Sequence, residues 1–287
     1  MGSYSVGPSY LKLDRVATMA NKAKHLAEEL SHQGPHRVLR GDLALVGLPG
    51  VVLTPTTGLG LPAIAFGHGW LQPPERYLGL LRHLASWGFV AAAPATQRGP
   101  LASHRLFAAD LRTALDVCVG VRLGDGGISV DADKLALAGH SVGGGCAVLA
   151  AAEDSRVRAV ATLAATQTKP FSTDAASRCG MPALHLAAGQ DVVAPTVGHA
   201  GLIAGNWAGD AQLRLLPKAS HMGFTEGRHW SNLLLPGSSE RATQRLSRIL
   251  LTAFFLVHLA GEKKYRPLLD EDIKGAIIET EQDELDA

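Results

Sequence analysis

Six short runs of this chain are apolar almost throughout rather than at every second position: AIAFGHG (63–69), FVAAAPA (89–95), KLALAGH (134–140), VRAVATLAA (157–165), PALHLAAG (182–189) and QLRLLPKA (212–219). A strand that alternates has one wet face, whereas a strand apolar throughout is covered on both, the condition of a parallel sheet sandwiched between helices. Between the first runs lie RYLGLLRHLASWG (76–88) and LFAADLRTALDVCVGV (106–121), whose apolar residues recur at helical spacing. Strand and helix therefore alternate, which predicts an α/β fold: a mostly parallel, doubly wound sheet flanked by helices. Two further β-like runs, DLALVGLPG (42–50) and VVLTPTT (51–57), precede it. In open sheets of this kind a ligand sits beyond the carboxyl ends of the strands, so the residues just after each run are where chemistry belongs.

Composition closes several other routes. With 287 residues and 46% hydrophobic content the chain can build one large core. The formal net charge is +1 and the basic residues are scattered, which argues against a nucleic-acid partner. Cys118, Cys146 and Cys179 lie in apolar or small-residue runs without C-x-x-C spacing, so they read as reduced core residues. Neither a metal site nor a cofactor is expected. Residues 9–31 carry Val16, Met19, Ala20, Ala23, Leu26 and Leu30 at helical spacing, and SHQGPH ends that helix. No signal-like or membrane-length apolar segment is present, so a cytoplasmic location without an integral membrane segment is the expectation; ILLTAFFLVHLA (249–260) reads as a buried helix. The resulting division is a lead-in with the amphipathic helix (1–41), a main domain (42–262) and an acidic tail (263–287).

The run LALAGHSVGGGCAVLAA (136–152) carries a serine among glycines where a strand passes into a helix. Gly139-His140-Ser141-Val142-Gly143 is a G-x-S-x-G in the setting a nucleophile elbow requires, a strained turn that lifts the hydroxyl beyond the sheet. The helix that follows supplies unpaired N–H groups, among them that of Val142, where an oxyanion would form. A serine hydroxyl needs a base, and the base an orienting acid. In the order expected for this fold, QDVVAP (190–195) places Asp191 after one strand and KASHMGF (218–224) places His221 after the next. The loop after AIAF, GHGW (67–70), offers the Trp70 N–H as second oxyanion donor and the Trp70 ring as a wall. His68, with no acid or histidine at ligand spacing, reads as a structural or rim residue. Substrate contacts are expected from Gly69, Trp70, His140, Thr166 and Val193. The segment RHWSNLLLPGSSE (228–240), with Trp230 and three leucines, either roofs the site or packs on the core.

These motifs resemble the α/β-hydrolase superfamily, and over residues 42–262 the dienelactone-hydrolase-like and cutinase-type polyester (PET) hydrolase branch. The resemblance rests on GHGW, LASWGFV (84–90), GHSVGGG (139–145), QDVVAP and KASHMGF. It implies a serine esterase with Ser141 as nucleophile, His221 as general base, Asp191 as its orienter, and Trp70 and Val142 as oxyanion donors, acting on small to medium neutral acyl esters. Dienelactone hydrolases carry cysteine at the elbow, where this chain has Ser141. Secreted polyester hydrolases place a tryptophan after the sixth strand, where this chain has Thr166 and Gln167. The short QTKPFSTDAASRCG (167–180) predicts no large lid domain. Two alternatives remain at this level: a non-catalytic ligand-binding protein of the same fold, or an acyltransferase or perhydrolase using the same residues.

Overall fold

A computed structural model of the chain describes residues 22–279, apart from 229, 231–233, 235–236 and 238–239. Among these residues nine strands form one sheet: β1 (Val38–Asp42), β2 (Gly50–Pro55), β3 (Gly58–Gly67), β4 (Val90–Pro94), β5 (Ile128–His140), β6 (Val157–Leu163), β7 (Ala183–Ala188), β8 (Ala211–Leu216) and β9 (Ile277–Ile278). Their order is β1-β2-β4-β3-β5-β6-β7-β8-β9. From β4 to β8 all neighbours are parallel, while β1–β2, β2–β4 and β8–β9 pair antiparallel. This is the α/β-hydrolase fold, and the six apolar runs are its six parallel strands.

The helices are α1 (residues 22–31), α2 (Leu78–Ser86), α3 (His104–Gly120), α4 (Val142–Ala151), α5 (Ser172–Ala176), α6 (Ala200–Gly205), α7 (Arg241–His258) and α8 (Pro267–Asp270). Successive strand residues feed opposite layers, as a period of two requires. Ile64 and Phe66 of β3 meet Leu26, Leu81, Leu84 and Phe255 on the face of α1, α2 and α7. Ala63 and Ala65 meet Phe107, Leu111 and Val148 on the face of α3 and α4. Cys118, Cys146 and Cys179 are free thiols buried in that second layer. Burial pushes the Cys118 and Cys179 thiols up to about 12, so they remain protonated there. The run 249–260 lies in and just beyond α7, and among the described residues no helix is long and apolar enough to cross a membrane.

Two segments differ from the sequence reading, and a third is described only in part. DLALVGLPG does not form a strand over its length: Leu43–Val46 is a 3-10 helix, because the Asp42 carboxylate accepts the Ala44 N–H at 2.9 Å and caps it. The apolar letters that imitated a strand, Leu45 and Val46, are exposed. The lead-in helix is observed over residues 22–31, with Ala23, Leu26 and Leu30 buried; its expected first part, with Val16, Met19 and Ala20, lies outside the described residues. Residues 263–279 pack on the domain rather than trailing from it. Tyr265, Leu268 and Leu269 are buried, β9 extends the sheet, and the fully buried Arg214 of β8 donates through Nη2 to the Leu268 and Leu269 carbonyls at 3.0 and 2.9 Å. The acidic residues 280–287 lie outside the described residues.

Candidate active site

At the junction of β5 and α4, Ser141 adopts φ 56° and ψ −126°, a conformation costly for any residue with a side chain. The surrounding backbone enforces it. The Ser141 N–H donates to the Leu163 carbonyl at 2.9 Å, and its carbonyl accepts the N–H groups of Gly144 at 2.9 Å and Thr166 at 3.1 Å. Small residues are needed because main chains touch here: a Cβ on Gly143 would overlap the Gly67 carbonyl group and the His68 oxygen, and one on Gly139 would overlap the Gly143 carbonyl. The glycines thus bring the ends of β3 and β5 and the start of α4 into backbone contact.

His221 and Asp191 come from the loops after β8 and β7. His221 Nε2 lies 2.9 Å from Ser141 Oγ, and His221 Nδ1 lies 2.7 Å from Asp191 Oδ2. All three side chains are buried, with Ser141 6%, Asp191 8% and His221 2% exposed, so the array is shielded from bulk water while its strongest contacts remain internal. The other Asp191 oxygen accepts the N–H groups of Val193 at 2.9 Å and Ala194 at 2.7 Å. Burial by itself would push the Asp191 carboxyl up. The bond to His221, the His221 charge and the two N–H groups outweigh it and hold the acid below its usual range. In such an array the imidazole can take the serine proton while the ionised carboxylate fixes its tautomer.

Val142, the first residue of α4, has no preceding helical carbonyl for its N–H to reach. Opposite it stands the loop after β3. The Gly69 carbonyl accepts the Gln72 N–H at 3.0 Å and lies 2.8 Å from His68 Nδ1. That carbonyl and the Trp70 N–H belong to one peptide group, whose direction is thereby set. His68 is buried, its Nε2 lying 2.8 Å from the Thr96 carbonyl, and burial lowers its pKa; it belongs to the interior rather than the rim. Trp70 is 38% exposed and its indole N–H donates to the Pro100 carbonyl at 3.2 Å, so the ring bridges two loops at this end of the sheet.

Of the residues expected to touch substrate, Gly69, Trp70, Thr166 and Val193 lie beside this array, Thr166 through its bond to the Ser141 carbonyl and Val193 through its bond to Asp191. His140 does not serve that purpose. It is fully buried, and both ring nitrogens meet protein atoms, Nδ1 the Tyr77 hydroxyl at 2.8 Å and Nε2 the His221 carbonyl at 2.9 Å. Its neighbour in sequence is the serine, but its ring points into the core. Trp230 and Leu234 are exposed; the other two leucines of that segment, 233 and 235, lie outside the described residues.

Tyr77 and His199 were invisible to sequence reasoning. Tyr77 joins the loop after β3 to β5, donating and accepting over sequence separations that no local pattern records. His199, before α6, accepts the Gln167 N–H at Nδ1 at 3.1 Å; burial lowers its pKa, and Asp191 and His221 lie close enough to act on its charge.

A strand-elbow-helix with a serine at the carboxyl end of a parallel sheet defines a serine hydrolase of the α/β-hydrolase superfamily. A family model described as PET hydrolase-like matches residues 31–229, which span β1 to β8 and include the loops carrying Trp70, Ser141, Asp191 and His221. The chain belongs to the PET hydrolase-like family and is a carboxylic-ester hydrolase. No curated protein matches it.

Proposed function

We propose that the chain hydrolyses small to medium neutral acyl esters through an acyl-enzyme, with Ser141 as nucleophile, His221 as general base and then general acid, and Asp191 as the carboxylate that orients it. The reading is carried by one observation, the continuous contact from Ser141 Oγ to His221 Nε2 at 2.9 Å and from His221 Nδ1 to Asp191 Oδ2 at 2.7 Å. In the first half-reaction His221 removes the serine proton as Oγ adds to the ester carbonyl. The negative oxygen that results is held by the N–H groups of Val142 and Trp70, and His221 returns the proton to the departing alcohol. Water then repeats the sequence on the acyl-enzyme, releasing the acid and restoring Ser141.

The surroundings favour a neutral acyl group. Val193 and the Trp70 ring are apolar, and the ionised Asp191 lies behind the base, where a second carboxylate would meet like charge. A fluorophosphonate probe tests the nucleophile directly: one label on Ser141, and none on Ser141→Ala, is expected. A panel of p-nitrophenyl esters of increasing acyl length then reads the pocket. Labelling of any other residue, or turnover by Ser141→Ala above about one part in a thousand of the parent, would refute the assignment.

A further inference from the structure

His140 and Tyr77 lie beneath the proposed active site, fully buried, and neither is used in the chemistry derived above. Their hydrogen bonds have only one consistent direction. The His221 carbonyl, 2.9 Å from His140 Nε2, can only accept, so Nε2 carries the ring proton. Burial, with the charges of His221 and Arg76 adding to it, outweighs the bond to the His221 carbonyl and the charge of Asp191 and holds the His140 ring neutral with a pKa of about 3, so Nδ1 carries a lone pair. The Tyr77 hydroxyl, 2.8 Å away, must donate to it. Having given its one hydrogen, the Tyr77 oxygen has lone pairs left, and the Gly69 N–H donates to them at 3.1 Å. Reversing any link would require a carbonyl to donate or a peptide N–H to accept.

We infer that Tyr77 and His140 are positioning residues that tie the oxyanion loop to the backbone of the base, through the continuous chain Gly69 N–H to Tyr77 hydroxyl to His140 ring to His221 carbonyl. The four groups come from four places in the fold: the loop after β3, the turn before α2, the end of β5 and the loop after β8. The chain passes directly beneath Ser141 because His140 is its neighbour. At one end, Gly69 is held on both sides, its N–H by Tyr77 and its carbonyl by the Gln72 N–H, which leaves the Trp70 N–H a single direction in which to point. At the other end, the bond to the His221 carbonyl fixes the main chain from which the imidazole extends toward Ser141. A shift of either end changes the distance between the oxyanion donor and the base, on which the transition state depends and simple substrate binding does not. The inference rests on the roles proposed for Ser141, His221 and Trp70.

Tyr77 is also packed, with Phe66 and His140 rings 4.9 and 5.7 Å from its own, so a purely structural role is the competing account. Tyr77→Phe separates the two, since it keeps the ring and removes only the oxygen. The expected result is a kcat about tenfold to a hundredfold lower on a p-nitrophenyl ester, an unchanged KM, and a phenylboronic acid inhibition constant raised in proportion to the loss of kcat. A kcat within twofold of the parent, or a raised KM with kcat intact, would overturn it. Should Tyr77→Phe fail to fold, the parent protein decides the matter by ring-nitrogen NMR after isotopic labelling of histidine. One ring protonated at Nε2 only, with resonances constant from about pH 5 to about pH 8, is expected for His140, and a titrating or Nδ1-protonated ring refutes the chain. Loss of Ser141-dependent turnover in the parent would remove the triad reading instead, and the same resonances would still report the tie.

Discussion

Acidification is a perturbation whose effect on this fold can be worked out from three buried rings. His83, His140 and His185 are 3%, 0% and 0% exposed, and burial depresses their pKa values to about 4, about 3 and about 4. The Nε2 atoms of His83 and His185 have no hydrogen-bond partner among the described residues, so a second ring proton would find no acceptor there. In the unfolded chain each ring returns to about 6.5. The folded value is the lower one, so the unfolded state binds more protons between the two. The contribution of these rings is therefore whole above about pH 6.5 and is lost as pH falls toward about 4. Near pH 5 these three rings together take up close to three protons on unfolding, a share of the slope of about 4 kcal/mol per pH unit, and between about pH 7 and about pH 5 their accumulated loss is about 6 kcal/mol. Domains of this kind have about 5–15 kcal/mol in all, so the effect is large enough to set the acid limit of the enzyme. Urea unfolding at a series of pH values measures it, with the slope of each transition checked for constancy. His185→Phe is expected to lower the slope by about one proton, or about a third. A midpoint that stays level from about pH 7 to about pH 5 would refute the reasoning, since it would mean that the native rings already carry two protons.

Two further outcomes follow from the site. Asp191→Asn is expected to fold but to lower kcat by about ten-thousandfold, because an amide nitrogen facing His221 Nδ1 favours the wrong tautomer and leaves the imidazolium unpaired; burst and steady-state rates on a p-nitrophenyl ester measure it, and near-parental turnover would place the orienting acid elsewhere. Gly143→Ala is expected to cost about 3 kcal/mol or more, since its Cβ would overlap the main chain of Gly67 and His68, and a melting temperature and activity equal to the parent's would show that the elbow has more room than the geometry gives it.

The central sheet was legible because its physics is local. A strand covered on both faces must be apolar at consecutive positions, and β3 to β8 are written that way. The elbow was legible for the same reason: the close approach of Gly139 and Gly143 to neighbouring main chain demands glycine at those letters. The edges were not. β1 lies at the sheet margin with most of VLRGD exposed, so it has no burial pattern to display, and β9 is two residues held mainly by pairing with β8. The DLALV segment misled because Leu45 and Val46 are apolar without being buried. The place of His140 beside Ser141 suggests a substrate contact, whereas the direction of its ring is decided by Tyr77 and His221, 63 and 81 residues away. Arg214 likewise sits in an apolar run, and its burial is met by acceptors from Gln212 and from α8, far along the chain.

Two kinds of fastening meet at this site, and they divide its work. The serine and the elbow are fixed by main-chain contact between Gly67, Gly139 and Gly143, which no side-chain change elsewhere can easily alter. The loops after β3 and β6 carry side-chain bonds besides their main-chain ones. The Trp70 indole holds the Pro100 carbonyl, His199 Nδ1 accepts the Gln167 N–H, and His104 Nδ1 accepts the Lys169 N–H at 2.8 Å. Each such bond is worth about 1 kcal/mol, a sum one substitution can undo. Both histidines must be neutral at Nδ1 to accept, and burial lowers the pKa of each, which keeps the loop after β6 tied in neutral solution. Ser141 therefore rests on the sheet, while the loops after β3 and β6 are held in part by these three side-chain ties.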